Sequence, residues 1–341
     1  MTKIDAIILV LGVSLWFYLI LAGADLGAGI LEVFKGKKDG RIQEQMIERA
    51  MGPVWEVNHI WLILSVVILF VGFPRVYTEL STLFHIPLTF MLIGIVFRGS
   101  AFAFRHYDAI KDKSQNLYSF FFAYSSLWTT LWMGVIIGSL ILGNVPTMKG
   151  SFLDVYVFPW LHPFPFMTGI FLCSLLAYTS ATFLVAEAPN PRIARLFKRR
   201  AIIANIVSII LGCIIFMYGL LTNISTLTLF FKNKYSLTLF FISSLLLVFQ
   251  WDYIRKNRFK RLRVFGAAQL SFIFFGWIFF QFPFVYNNKE LGISLNIYEA
   301  AAPSETLDQL LIALVVGCIF IFPPYFYLLH IFKGKGSLLN K

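Results

Sequence analysis

Residues 5–34 read DAIILVLGVSLWFYLILAGADLGAGILEVF, and this stretch decides the fold class. It is longer than the ~20 apolar residues that cross the ~30 Å hydrocarbon core of a bilayer as a helix. It is also too long, and too polar toward its end, for a cleaved signal peptide, so we expect it to be kept as a membrane span.

Eight further apolar runs follow, each closed by a charged or Pro/Gly-rich stretch. The nine runs are 5–34, 54–73, 80–104, 117–143, 160–187, 201–221, 235–251, 264–283 and 308–332. The composition agrees, because 58% of the residues are hydrophobic and only 13% are charged, against about 25% charged in soluble domains. The three cysteines lie inside apolar runs, which excludes a disulfide scaffold. The sequence therefore predicts an all-α, polytopic membrane helix bundle with about nine transmembrane helices.

The basic residues predict the orientation of this bundle, since Lys and Arg collect on the cytoplasmic side of a membrane. Of the 29 Lys and Arg residues, 22 lie after the first, third, fifth and seventh runs or in the C-terminal tail. Six lie on the opposite side, and Arg98 is inside a run. We therefore expect the N-terminus outside and the C-terminus in the cytoplasm. The net charge of +12 then needs no nucleic-acid partner.

The runs suggest one membrane domain over residues 1–341, made of two four-helix bundles followed by a ninth helix. We expect the first bundle within 1–143, together with the polar cluster described next, and the second within 160–283. A mainly acidic outer loop would occupy 284–307, and the ninth helix 308–332.

Charged residues inside spans are expensive and need a partner, a water-filled cavity or a function. Asp25 and Glu32 are seven residues apart and share one helical face in the first span. Arg98 and Arg105 have the same spacing in the third span, which runs in the same direction. If the two spans are neighbours, Asp25 pairs with Arg98 and Glu32 with Arg105, at matching depths.

The second span begins with Trp55, Glu56 and Asn58, followed by His59. Glu56 and His59 are three residues apart, so a carboxylate and an imidazole share one helical face. Two interpretations of these polar residues stay open with about equal weight. One is a structural ion-pair cluster, and the other is a path for protons or other ions, because relays use the same residue types.

The other histidines give no sign of a haem site. His85 and His162 lie at outer span ends and His106 and His330 at inner ends, so none forms the pair at equal depth that bis-histidine ligation needs. The sequence also has no Walker loop, dinucleotide-binding glycine motif, zinc-ligand spacing or nucleophile elbow. We expect no metal ligation and no catalytic residue in this chain alone.

Three motifs stand in the first three spans, GADLG at 23–27, GPVWEVNHIWL at 52–62 and FRGSAFAFR at 97–105. Together they resemble subunit II of the cytochrome bd quinol oxidases. Each motif is modest alone, but all three occur in order, in spans one to three of a chain of nine spans. The strong resemblance covers about the first third of the chain, and the later spans share only length and hydropathy with the family.

The resemblance implies a respiratory terminal oxidase of a bacterial cell membrane, which oxidises quinol and reduces dioxygen to water with protons from the cytoplasm. In that family the haems b and d belong to the larger subunit I. Subunit II braces subunit I and is thought to supply a proton path, and some members hold a structural quinone against the first spans. The expected partners are subunit I, as a heterodimer, lipids and quinone, with small single-helix subunits as a further option.

By position, Asp25, Trp55, Glu56, Asn58 and Arg98 match motif residues of the family. Our leading hypothesis gives Asp25 and Glu56 the cytoplasmic proton entry, with Asn58 and His59 on the same path. In this hypothesis Arg98, Arg105 and Glu32 are structural ion-pairing residues, and Trp55 is a candidate quinone contact.

Two positions depart from the family pattern. Val57 stands where we expect glycine, and His59 where we expect Glu or Gln. Two other functions remain as alternatives. One is a proton-coupled transporter, which the off-centre depth of the charges disfavours. The other is a purely structural membrane subunit.

Overall fold

The apolar runs fold as long helices in the computed structural model, which describes residues 2–36, 39–52, 55–108, 112–146, 150–222, 224–288 and 291–335. Thirteen helices and two strands occur in these ranges. They are α1 (Lys3–Val33), α2 (Gly40–Met51), α3 (Trp55–Gly72), α4 (Pro74–Leu83), α5 (His85–Tyr107), α6 (Ser114–Leu142), α7 (Phe152–Tyr156), α8 (Pro163–Glu187), α9 (Pro191–Leu221), α10 (Ser225–Lys232), α11 (Lys234–Arg255), α12 (Phe259–Gln281), β1 (Phe284–Asn288), β2 (Ile293–Asn296) and α13 (Ser304–Lys335).

Eight helices in the described ranges are long and apolar enough to cross a membrane, and α3 makes a ninth if it counts as one span with α4. The prediction of an α-helical membrane bundle with about nine spans is therefore confirmed. Its orientation in the membrane stays a prediction. The third span begins at His85 rather than at residue 80, because residues 80–83 belong to α4.

A sharp bend separates α3 from α4. The two helices meet at 113°. Phe73 between them has a non-helical backbone, and Pro74 takes the first position of α4. The missing N–H of proline costs no helical hydrogen bond at this position. The bend turns α4 away from the axis of α3.

The helices α1, α3, α5 and α6 pack together, as do α8, α9, α11 and α12. The two groups are in direct contact, because α8 packs against both α1 and α6, while α13 lies against α1 and α3. Gly27 allows the close approach of α1 to α8, since a Cβ at this position would lie 2.0 Å from the backbone oxygen of Leu176. The proposed division at 143 and 160 stays a prediction.

The segment 284–307 contains an antiparallel hairpin of β1 and β2, and not only a loop. Tyr286 and Leu295 are buried and join a large apolar cluster. The Tyr286 hydroxyl donates to the Glu79 carboxylate of α4. Burial, together with this bond, raises the pKa of Tyr286, so the phenol stays protonated as the donor. The hairpin thereby holds the end of the bundle at which α4 lies.

The opposite end of α1 is closed by α2 and α9. Gln43 Nε2 of α2 donates to the Leu31 carbonyl at 2.8 Å. Arg200 of α9 donates to the same carbonyl at 3.0 Å and to the Phe34 carbonyl at 2.7 Å. Carbonyls at a helix C-terminus have no intrahelical partner, so these donors fix the end of α1 beside Glu32.

Candidate functional site

Two ion pairs join α1 to α5. Arg98 Nη2 pairs with Asp25 Oδ2. Arg105 Nη1 donates to both oxygens of Glu32, at 3.0 and 2.8 Å. The structure thus brings these four side chains together in the two pairs that the spacing predicts. The pairs lie two helical turns apart on each helix, about 10 Å along the axis.

Both pairs are withdrawn from solvent. The exposed fraction is 0% for Asp25, 1% for Glu32, 1% for Arg98 and 2% for Arg105. A buried ion pair adds little net stability, but removing one partner leaves an uncompensated charge that costs about 3–5 kcal/mol. Asp25 Oδ1 has no hydrogen-bond partner within the described residues. Asp25 therefore keeps an acceptor oxygen that the fold does not use.

The aromatic ring of Phe122, on α6, lies between the two arginines. The guanidinium carbon is 5.3 Å from the ring centroid for Arg98 and 4.5 Å for Arg105. Phe122 is fully buried, and such cation–π contacts strengthen when water is excluded. The ring holds both guanidinium groups and separates the two ion pairs with an apolar surface.

Sequence reasoning missed Phe122, although a signal was present. Ser126, Thr129 and Thr130 on α6 are all buried. Small hydroxyl residues with helical spacing mark the face of a membrane helix that packs on its neighbours. Phe122 is four residues before Ser126, so it belongs to the same face. Tyr18 was also missed, and it is buried on the Asp25 face of α1.

Two polar side chains of α3 reach this cluster. His59 Nε2 lies 3.5 Å from Arg98 Nη1, at the limit of a hydrogen bond. Because arginine can only donate, this nitrogen would have to accept the bond. Asn58 is buried and donates from Nδ2 to the Leu21 carbonyl of α1 at 3.3 Å. The structure therefore brings His59 to the Arg98 pair, and uses Asn58 to join α3 to α1.

Trp55 and Glu56 open α3. The Trp55 ring packs on Phe102 of α5 at a centroid distance of 5.2 Å, so it covers the ring that also lies 5.4 Å from the Arg105 guanidinium. The Glu56 backbone is part of the first turn of α3. Its side chain, and with it the predicted contact between Glu56 and His59, lies outside the described residues.

The described donor residues do not fit an axial haem site. His85 contacts the Thr82 carbonyl, and His162 accepts a bond from the Phe164 N–H. His106 lies 3.4 Å from Glu48, and no cluster of three or more His, Cys, Asp or Glu in the described ranges could hold a metal ion. His59 lies 3.5 Å from Arg98, so each of the four described histidines contacts another residue of this chain.

Comparison with known sequences identifies the family. The sequence model described as "Cytochrome bd terminal oxidase subunit II" matches residues 4–332. The "Cytochrome bd-I ubiquinol oxidase subunit 2" of Escherichia coli K12 is 27% identical over 180 residues, which are 52% of this chain and 46% of the relative. The matched region thus spans about half the length of that relative. The "Putative cytochrome bd menaquinol oxidase subunit II" of Bacillus subtilis 168 is 21% identical over 96% of this chain and 94% of its own.

A solved structure has the same fold. A chain of the bd oxidase from Geobacillus thermodenitrificans superposes with a TM-score of 0.73, over 97% of this chain and 99% of that chain. Its sequence identity is 21%, so this likeness concerns the fold alone. The fold match extends over the later helices, for which the sequence motifs gave no strong resemblance.

Proposed function

The chain belongs to the cytochrome bd terminal oxidase subunit II family, and on that premise we propose that it is the non-haem subunit of a membrane quinol oxidase. The complex would couple quinol oxidation to the reduction of dioxygen to water in a bacterial cytoplasmic membrane. The haems b and d would belong to the partner, subunit I, in a heterodimer. The histidine contacts support this assignment, because His85, His162 and His106 each contact another residue of this chain.

Within this complex, we assign the polar cluster on α1, α3 and α5 to proton uptake from the cytoplasm. The observation that carries the assignment is the fully buried Asp25, paired with Arg98 on one oxygen and without a hydrogen-bond partner, among the described residues, on the other. Buried carboxylates of this kind are the groups from which intramembrane proton relays are built. Glu56, Asn58 and His59 would extend the path along α3.

Arg98, Arg105 and Glu32 would act as positioning residues. Arg98 holds one oxygen of Asp25, and Arg105 binds both oxygens of Glu32. Trp55 is the residue we assign to a structural quinone, since its half-buried ring offers an aromatic face beside Phe102.

Replacing Asp25 by Asn tests the proton assignment. The amide keeps an oxygen for Arg98 but cannot release a proton, so we expect each assembled complex to consume oxygen about tenfold more slowly, equivalent to about 1.4 kcal/mol in the barrier. The yield of complex should also fall, because the buried Arg98 loses its countercharge. Oxygen consumption and proton uptake should be measured per assembled complex.

The matched control is Glu187→Gln. Glu187 is a mostly exposed carboxylate that pairs with Arg263 at 2.5 Å, away from the cluster. We expect this variant to keep normal turnover. If Asp25→Asn also assembles fully with unchanged turnover and proton uptake, Asp25 has only a structural role.

Purification through a tag on this chain tests the assignment to an oxidase. We expect a haem-bearing subunit to co-purify, and a reduced-minus-oxidised spectrum to contain the bands of haems b and d. A colourless, monomeric product that is competent for solute uptake would instead support a transporter and refute the oxidase assignment.

A further inference from the structure

A second site candidate lies in the other group of helices, away from Arg98. A cavity of about 400 Å³ is lined by residues of α8, α9, α10, α11 and α12. Most of its wall is apolar, including Phe171, Phe216 and Phe240. Binding sites for small molecules have this size and this mainly apolar wall, with a few polar groups that fix the ligand.

Four polar residues of the wall, Asn205, Ser208, Ser243 and Gln269, are buried. The Ser208 hydroxyl is already bonded to the Ala204 carbonyl and the Ser174 hydroxyl, so the other three are the candidates for a ligand. They lie within membrane-spanning helices, where an unsatisfied polar group costs several kcal/mol. What each residue can offer to a ligand depends on the hydrogen bonds that it already makes inside the protein.

A buried hydrogen-bond chain fixes the orientation of Gln269. The Tyr178 hydroxyl donates to Gln250 Oε1. Gln250 therefore donates from Nε2, to the Phe265 carbonyl at 3.0 Å and to Gln269 Oε1 at 3.1 Å. Since the Gln269 oxygen is used in this chain, its amide nitrogen is the group left for another partner.

Asn205 is fixed in the same way. The Trp251 indole can only donate, and its Nε1 lies 3.0 Å from Asn205 Oδ1. This bond leaves the Asn205 amide nitrogen as a donor. Neither amide nitrogen, nor the Ser243 hydroxyl, has a hydrogen-bond partner among the residues that the structure describes. The wall thus presents three donors and no charge.

The cavity opens toward the apolar outer surface of these helices, because Ile209, Cys213 and Phe231 on its wall are exposed. An occupant can therefore enter from the bilayer.

We propose that this cavity binds a membrane amphiphile whose carbonyl oxygens accept hydrogen bonds from Asn205, Ser243 and Gln269, and whose hydrocarbon chain fills the apolar part. Two sources carry this chemistry, the ester carbonyls of a glycerophospholipid and the ring carbonyls of a prenylated quinone. The site is separate from the Trp55 contact, and it does not depend on the proton path.

Filling the cavity tests the proposal. A Cβ at Gly212 would meet only Phe171, at an ordinary 3.5 Å, so Gly212→Leu places its side chain in the cavity without displacing the backbone. Gly317→Leu on α13 is the matched control, because a Cβ there meets no atom within 4 Å. Both variants should be purified as the complete complex and delipidated with detergent.

Native mass spectrometry, followed by solvent extraction, then gives the bound molecules. We expect the wild type and Gly317→Leu to retain one more tightly bound lipid or quinone per complex than Gly212→Leu. The extracted mass identifies the source, and either source supports the proposal. Equal retention in all three proteins, or no retained amphiphile in the wild type, overturns it and leaves water as the partner of the donors.

Ser243→Ala tests the polar contacts without changing the shape of the cavity. One hydrogen bond is worth about 1 kcal/mol, so we expect the bound molecule to be lost about fivefold faster during delipidation. An unchanged rate of loss would refute the contact at Ser243. Oxygen consumption by the same samples serves as an independent check that the complex is intact.

Discussion

Replacing Arg98 by Met is expected to remove most of the assembled complex. The methionine fills a similar volume but leaves the fully buried Asp25 without its charged partner. Uncompensated buried charges of this kind cost about 3–5 kcal/mol, a large part of the stability of most folds. The amount of assembled complex in the membrane, and its half-life during heating in detergent, are the quantities to measure.

The double variant Asp25→Asn with Arg98→Met separates the cost of the charge from the role of Asp25. Both members of the pair are then neutral, so we expect assembly to recover, since neutral replacements of buried ion pairs are often tolerated. Turnover should stay low, because the acid is still missing. Recovery of turnover together with assembly would show that the pair only stabilises the fold.

Arg75→Met is the matched control for the arginine. Arg75 also forms an ion pair, with Glu79 at 2.8 Å, but 60% of its side chain is exposed. Exposed pairs contribute only about 0–1 kcal/mol, so we expect normal assembly. If Arg98→Met assembles as well as Arg75→Met does, the buried pair is not needed to hold α1 and α5 together.

Replacing Gly27 by Ala should have an effect of comparable size through packing alone. The added Cβ would lie 2.0 Å from the Leu176 backbone oxygen and 2.8 Å from Ser180 Cβ. A backbone oxygen cannot move aside as the end of a side chain can, so α1 and α8 must separate. Because Asp25 and Glu32 flank Gly27 on α1, the separation would also displace both ion pairs. We expect little assembled complex, as measured by its yield after mild detergent extraction.

Two other glycines of α1 provide a graded control. A Cβ at Gly12 meets no atom within 4 Å, and one at Gly23 meets only the flexible end of Leu176, at 3.0 Å. We expect the yield to fall in the order Gly12→Ala, Gly23→Ala, Gly27→Ala, although alanine is the better helix former at all three positions. Equal yields for the three variants would show that the close approach of α1 to α8 is not required.

The possible pairing of the acidic residues on α1 with the arginines on α5 could be predicted from the sequence. It follows from the helical period and from the direction in which each span crosses the membrane. Residues seven apart share a helical face, and the rise of 1.5 Å per residue sets their depth. Asp25 and Arg98 therefore fall at similar depths once the sidedness of the basic residues orients the spans. The same rules could not place Phe122, which enters the cluster from α6.

The end of the bundle that carries α4 and the hairpin was harder to predict from the sequence. Along 285–288, β1 alternates between half-buried and buried residues, whereas Leu295 is the buried residue of β2. This burial depends on the packing of the hairpin against the bundle. The bend between α3 and α4 depends on the non-helical Phe73 before Pro74. An apolar run that continues through such a bend has the same hydropathy as a straight helix. Hydropathy therefore placed the start of the third span at residue 80, whereas the helix begins at His85.

The sequence by itself determined the membrane bundle, the approximate number of spans and the spacing of the charges that can pair, because hydropathy, helical period and charge act along the chain. Its three motifs carried the family resemblance. The tertiary structure decided which third helix holds those pairs, and it formed the cavity around Asn205 and Gln269. Lipid is as apolar as the helix surfaces, so hydropathy does not select neighbours among membrane helices. Close contacts such as that of Gly27 with Leu176 select them, and these contacts exist only once the helices are packed.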